Sequence, residues 1–210
     1  MNSKKCTLCE GRIDLFYSKS KIFYICRNCK GISLDEKFFL KPDLEIQHYQ
    51  RHNNNVNDAD YKKFVSPITD SILDSFSSTS NGLDFGAGTG PVISKILQDN
   101  NFKIQQYDPF FHPNYELLNK KYDFIACCEV IEHFHNPKKE FQLLYNMLND
   151  NGKLLIMTDL YTSEIIFDKW YYKNDPTHVF FYQNETFQKI SNLFNFTSFS
   201  IENRLIILNK

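Results

Sequence analysis

Short apolar runs broken by polar turns divide this chain into recognisable pieces. Residues 13–17 and 22–25 are apolar and aromatic around a polar turn at 18–21, the pattern of a β-hairpin. Leu83 and Phe85 flank Asp84, and glycines then recur at Gly86, Gly88 and Gly90. That reads as the end of a buried strand turning through a glycine loop. Pro91 suits the first turn of the helix expected over 91–98, whose free N–H groups would face whatever sits on the loop. A strand is expected over 102–108, and an antiparallel pair over 196–201 and 204–208. From Tyr61 apolar residues recur at helical spacing through Phe64, Val65, Ile68, Ile72 and Phe76, with Pro67 splitting or kinking that helix. Residues 45–60 are polar, with Asn53, Asn54, Asn55 and Asn57 in their middle, and read as a linker or an irregular cover.

Composition narrows the class. The chain has 210 residues, 42% of them hydrophobic and 23% charged, which fits one substantial domain plus a small appendage. No apolar run is long enough to span a bilayer, and the first residues carry no apolar core of a signal peptide. The expected location is therefore cytoplasmic, where six cysteines are read as metal ligands or buried thiols rather than disulfides. Residues 1–41 hold nine Lys/Arg against four Asp/Glu, while the remainder holds 15 against 21. The basic end can meet an anionic partner or simply be a solvated surface.

Cys6, Cys9, Cys26 and Cys29 form C-x2-C-x16-C-x2-C, a zinc-site spacing. Each pair can sit on a tight knuckle, and two knuckles at the ends of the hairpin supply four thiolates to one tetrahedral ion. Some 30 residues bury little core, so the metal would carry the fold of such a ribbon. Four protein ligands leave no open position and make the zinc structural. A redox dithiol pair is the competing reading. Zinc ribbons bind nucleic acid, bind protein or close over an adjacent active site, and the spacing does not choose among them. Cys127 and Cys128 end the apolar run 124–126 and read as small core residues.

The loop Asp84-Phe85-Gly86-Ala87-Gly88-Thr89-Gly90 resembles motif I of the class I S-adenosylmethionine (SAM) methyltransferases. Three further stretches resemble the same family in the same order: the strand ending at Asp108, residues 122–133, and residues 151–157. The likeness covers residues 81–210. It implies that Asp84, Gly86, Ala87, Gly88 and Gly90 hold the methionine end of SAM, and that Asp108 takes the ribose about 20 residues beyond the loop. It places Pro109 and Phe110 near the adenine, with Cys128 and Glu129 also at the cofactor. The core resembles the demethylubiquinol O-methyltransferases. The segment 170–178 resembles bacterial class I methyltransferases that carry an N-terminal CxxC pair.

Glu129, Glu132 and His133 stand at i, i+3 and i+4, so a helix opening there would point all three one way. His178 lies in a later stretch that normally lines the substrate side. An E-x-x-E-H cluster with a later His resembles the small-RNA 3′-terminal 2′-O-methyltransferases, in which these residues hold a metal beneath the ribose hydroxyls. The resemblance implies a second divalent site, for Mg2+ or another cation, at Glu129, Glu132, His133 and His178. Two other readings stay open: His133 or His178 acts as a general base without metal, or Glu132 and His133 only cap a helix. His135 reads as structural. Phe167, Trp170, Tyr171, Tyr172, Phe180, Phe181 and Tyr182 form the densest aromatic stretch, either a wall beside the methyl group or packing onto the sheet.

The expected architecture is an α/β chain. A zinc-ribbon module (1–41) and a linker with covering helices (42–80) precede a Rossmann-like seven-stranded SAM methyltransferase sheet with helices on both faces (81–210). The expected activity is SAM-dependent O-methylation of a small hydroxylated acceptor, with Glu129, Glu132, His133 and His178 activating it. Two alternatives remain: an RNA methyltransferase gripping nucleic acid through the basic ribbon, and a non-catalytic SAM-binding protein whose ribbon docks a protein.

Overall fold

The computed structural model describes residues 4–51 and 55–210. Residues 1–3 of the expected unled N-terminus, and Asn53 and Asn54 of the expected linker, lie outside them. Strands β1 (Ile13–Ser18), β2 (Ile22–Cys26) and β3 (Ile32–Leu34) form an antiparallel meander. Helices α1 (Pro42–Tyr49) and α2 (Ala59–Ser75) follow. Pro at the first position starts α1, and the Asp58 side chain caps α2 by accepting from the N–H groups of Asp60 and Tyr61. α2 runs unbroken through Pro67. Its buried Val65, Ile68 and Ile72 pack against the sheet and outweigh the one backbone bond that proline forgoes.

The second sheet is built from β4 (Asn81–Phe85), α3 (Val92–Asp99), β5 (Lys103–Tyr107), β6 (Tyr122–Cys128), α4 (Pro137–Met147) and β7 (Leu148–Met157). β8 (Phe180–Phe181), α5 (Asn184–Phe194), β9 (Ser198–Glu202) and β10 (Leu205–Asn209) complete the chain. Strand order is β5-β4-β6-β7-β10-β9, parallel from β5 to β7 and antiparallel at β10 and β9. The Rossmann-like α/β class and the closing antiparallel pair agree with expectation.

The sheet has six strands among the described residues rather than seven. Between β5 and β6 the chain has only residues 108–121, which hold a short 3-10 turn at Tyr115–Asn119. One parallel crossover uses a dozen residues or more, so no length remains for a further edge strand. The order reverses between β4 and β6, and the crevice at their carboxyl ends is where such sheets bind ligands.

The first sheet is not closed within the N-terminal residues. Its order is β1-β2-β3-β8, with Ile32 opposite Phe181 and Ser33 opposite Phe180. Leu8, Cys6, Cys26 and Cys29 pack into the same buried cluster as Phe141, Phe180 and Tyr182. No helix among the described residues is long and apolar enough to cross a membrane.

Candidate active site

A cavity of about 980 Å³ opens at the switch point, and both the glycine loop and the acid-histidine turn line it. On one side, Gly86 and Gly88 take left-handed conformations at φ +80° and +61°. A Cβ on Gly86 would meet Val130 at 2.4 Å, whereas one on Gly88 would meet nothing within 4 Å. Only glycine fits the first site, and the second leaves the backbone open to a ligand.

The loop is held from β5. The N–H groups of Gly86 and Ala87 donate to the Tyr107 carbonyl at 2.8 and 3.2 Å. Asp108 accepts from the N–H of Gly88 at 3.1 Å through one oxygen, and from those of Phe110 and Phe111 through the other. Its carboxylate therefore fixes the glycine loop against the next turn. Ala87, Pro109, Phe110, Cys128 and Glu129 also line the cavity.

Asp84 and Gly90 are not in the lining. Asp84 lies under the loop, buried, and accepts from Ser94 Oγ at 2.8 Å. Burial pushes its carboxyl up to about 6, against the Ser94 hydrogen bond.

On the other side, Ile131–His133 is a 3-10 turn rather than the opening of an α-helix. Glu129 precedes it at φ +53° and departs from the shared face that helical spacing required. Its carboxylate instead accepts from Arg204 Nη2 at 2.6 Å and from the Tyr172 hydroxyl at 3.2 Å. Glu132, His133 and His178 do come together, each offering a ligand atom within 4.8 Å of the others. Glu129 is outside that group.

The histidine protons are placed by their neighbours. His133 Nδ1 lies 3.1 Å from the Thr177 carbonyl and His178 Nδ1 lies 2.8 Å from the Tyr172 carbonyl. A carbonyl only accepts, so each Nδ1 carries the hydrogen and each Nε2 keeps a lone pair. Burial lowers the pKa of both, that of His178 to about 3 with His133 adding to the shift, so both rings are neutral near pH 7.

Glu132 is fully enclosed. One of its oxygens accepts from Thr158 Oγ1 at 3.0 Å, and the other, Oε1, has no hydrogen-bond partner among the described residues and lies 3.9 Å from His133 Nε2. Burial raises its pKa to about 7, and that of Glu129 to about 7 with Glu132 contributing. Two imidazole lone pairs beside an unpaired buried carboxylate oxygen form a donor set that fits a divalent cation. Thr158 Oγ1 also lies 3.1 Å from the Tyr172 hydroxyl, which links Glu132 to Glu129 and so to Arg204.

Sequence reasoning did not single out Thr158, Arg204 or the Tyr172 hydroxyl as site groups. Arg204 stands in the turn between β9 and β10, where no motif marks it, and it is brought in by the antiparallel return of β10 along β7. Tyr172 had an aromatic signal but none for its hydroxyl.

The four cysteines also converge. Cys6 and Cys29 sulfurs lie 3.6 Å apart, those of Cys9 and Cys26 3.5 Å apart, and all four fall within 4.8 Å of one another. Four thiolates about 2.3 Å from one ion stand roughly 3.8 Å from each other, so the set fits tetrahedral zinc. The two knuckles repeat each other. Glu10 N–H donates to the Cys6 carbonyl and Lys30 N–H to that of Cys26, with Glu10 and Lys30 at φ 59° and 60°.

A family model described as a methyltransferase domain matches residues 49–200. No curated protein matches the sequence. Among solved structures, a candidate O-methyltransferase of Nostoc punctiforme PCC 73102 superposes with a TM-score of 0.57 at 12% identity, covering 79% of this chain and 59% of its own. An O-methyltransferase family protein of Burkholderia thailandensis gives 0.56 at 12% identity, with 80% and 62% covered. Phosphoethanolamine N-methyltransferase 2 of Haemonchus contortus, solved with SAM, gives 0.52 at 15% identity, with 77% and 43% covered. The chain thus spans about six-tenths or less of the length of these structures.

Proposed function

The chain belongs to the methyltransferase-domain family, and from that premise we propose that it moves a methyl group from SAM to an oxygen of a small hydroxylated acceptor. We read residues 81–210 as the methyltransferase domain, 42–80 as its covering helices and 1–41 as a zinc ribbon. The donor side is supported by the open backbone at Gly88, the clamp made by Asp108 and the aromatic rings of Phe110 and Phe111. The Haemonchus enzyme carries SAM on a similar fold.

The observation that carries the acceptor reading is the trio Glu132, His133 and His178, each offering a ligand atom within 4.8 Å of the others, with one Glu132 oxygen lacking a hydrogen-bond partner among the described residues. In the reaction, an acceptor oxygen lone pair forms the new C–O bond as the methyl C–S bond breaks. The sulfonium becomes a neutral thioether, and the hydroxyl proton passes to a base. Without a cation, His133 and His178 line the cavity as neutral imidazoles, and a free Nε2 can take that proton. In the alternative arrangement a divalent cation held by Glu132, His133 and His178 would take those lone pairs and supply Lewis acidity that lowers the acceptor hydroxyl pKa, so that the hydroxyl would lose its proton to solvent before transfer. Tyr171 and Tyr172 line the same cavity and exclude water from it. Catalysis then rests mainly on positioning and desolvation.

Glu45, Asp108, Glu129, Glu140 and Asp175 face the cavity against Lys139, an acidic lining that favours a small neutral acceptor over RNA. Tritiated SAM incubated with the full chain and a set of catechols, alcohols and short RNAs, with and without Mg2+, tests the reading. Labelled methyl ether on a hydroxylated small molecule is the expected product. Label found only on RNA, or on none of them, overturns it.

A further inference from the structure

The ribbon's sheet takes its fourth strand from residues 180–181, two positions beyond His178. The two side chains of that strand leave on opposite faces. Phe180 packs in the buried cluster that holds Cys6, Cys26 and Cys29, while Phe181 packs with Phe23 and Ile32 of the ribbon and with Trp170 and Tyr172. Backbone bonds continue the join: Leu34 N–H donates to the Val179 carbonyl at 2.8 Å, and Val179 N–H donates to the Glu132 carbonyl at 2.9 Å. The ribbon is thus tied in two steps to the turn that carries Glu132 and His133. Further ties reach the same segment. Lys19 pairs with Asp168 at 2.5 Å, Lys21 Nζ donates to the Asp175 carbonyl at 3.4 Å, and Gln183 Nε2 donates to the Lys30 carbonyl at 2.7 Å.

The donor side meets the ribbon differently, through Leu83, Phe85 and Tyr107, which belong to the large buried cluster that also holds Cys6, Cys26 and Cys29. Gly86 and Ala87 are held by β5, and Asp108 by its own turn.

We propose that the cysteine ribbon is a positioning element of the acceptor wall: ordering of residues 170–181, and with them His178, depends on the four-thiolate knuckles, while the donor side does not. The ribbon is then a built-in part of the site rather than an appended docking module. This inference rests on the proposed function only in naming that segment the acceptor wall. A four-thiolate zinc site contributes folding energy locally, so its loss should act on the sheet that it closes.

Hydrogen exchange on the zinc-loaded full chain, before and after chelation, tests it. Exchange over 170–181 should accelerate by about tenfold or more, with exchange over 83–108 changed by less than about twofold. Trp170, the chain's only tryptophan and a member of the shared cluster, should shift its emission to the red. A segment 170–181 that keeps its protection overturns the proposal. So does equal loss over 83–108, which would make the metal a support of the whole fold.

Phe180→Ala separates the join from the metal, because Phe180 offers no metal ligand and packs the fourth strand onto the cluster that holds Cys6, Cys26 and Cys29. It should keep one zinc per chain and still reproduce the Trp170 shift, and an unchanged spectrum counts against the proposal. S-adenosylhomocysteine titration adds the donor readout, with affinity expected within about twofold across the three forms. If the untreated protein does not bind it, the donor reading fails while the exchange contrast still decides the ribbon's role.

Discussion

The side of the cavity that we assign to the donor comes from residues 85–111, one passage from the end of β4 through the glycine loop, α3 and β5, and is secured by backbone bonds and one carboxylate. The side that we assign to the acceptor draws on residues 45–49, 129–133 and 171–178, is secured by Arg204, and is backed by a sheet that begins at residue 13. The first needs glycines and an acid at fixed spacing, because a backbone cradle is a local object. The second is side chain on side chain, and its members meet only once the chain has folded. Recognition of a common donor can therefore be written in a motif, whereas recognition of a particular acceptor is written in contacts.

The sharpest way to break that division is His178→Ala. Methyl transfer should fall by about a thousandfold, with donor affinity unchanged within about twofold. Parallel loss of both, measured by turnover and by titration with S-adenosylhomocysteine, would mean that the two sides are one unit. Next is Gly86→Ala, which adds a left-handed alanine and a clash with Val130. It should cost about 3–4 kcal/mol of stability in denaturant unfolding.

Third is the pH dependence of Asp84, whose pKa is pushed up to about 6. A carboxyl that holds its proton more tightly when folded than in the unfolded chain, near 4, loses stability as pH rises from about 4 to about 6, by about 2–3 kcal/mol. Asp84→Asn should remove that share of the decline when melts are compared across this range, leaving the decline that Glu129 and Glu132, both raised to about 7, add as pH rises. The smallest effect is expected at Gly88→Ala, where the cost is the positive φ alone, about 1 kcal/mol of stability. Its donor affinity should fall further than its stability does, because the new methyl enters the space left for the ligand.

What was legible in the sequence follows the same line. The glycine loop, Asp108, the final antiparallel pair and the cysteine knuckles each show in a short stretch, because each obeys a local rule of backbone geometry or ligand spacing. The missing edge strand was a matter of connection length: residues 108–121 are too few, and counting them would have shown it. Glu129 was misplaced because i, i+3, i+4 logic assumes an α-helix, and the chain turns there through a left-handed residue and a 3-10 turn. Arg204 and Thr158 lie beside Glu129 and Glu132 only through sheet register, which no local pattern encodes. β8 is two residues long, too short for any periodicity, yet it closes the first sheet.

That closure has a consequence for the order in which the molecule is made. The bridge from Ile32 to Phe181 spans most of the chain, and joining such distant residues carries a loop-closure cost that local pairing does not. A nascent chain leaving the ribosome has its hairpin and cysteines early, but the edge of β3 stays open until residues 180–181 have been synthesised. An open edge invites pairing with a wrong strand, and the short length of β3, three residues, limits that risk. The glycine cradle can form while translation continues. The wall opposite it is completed last, so a chain truncated before Phe180 would have both cysteine knuckles and no fourth strand for their sheet.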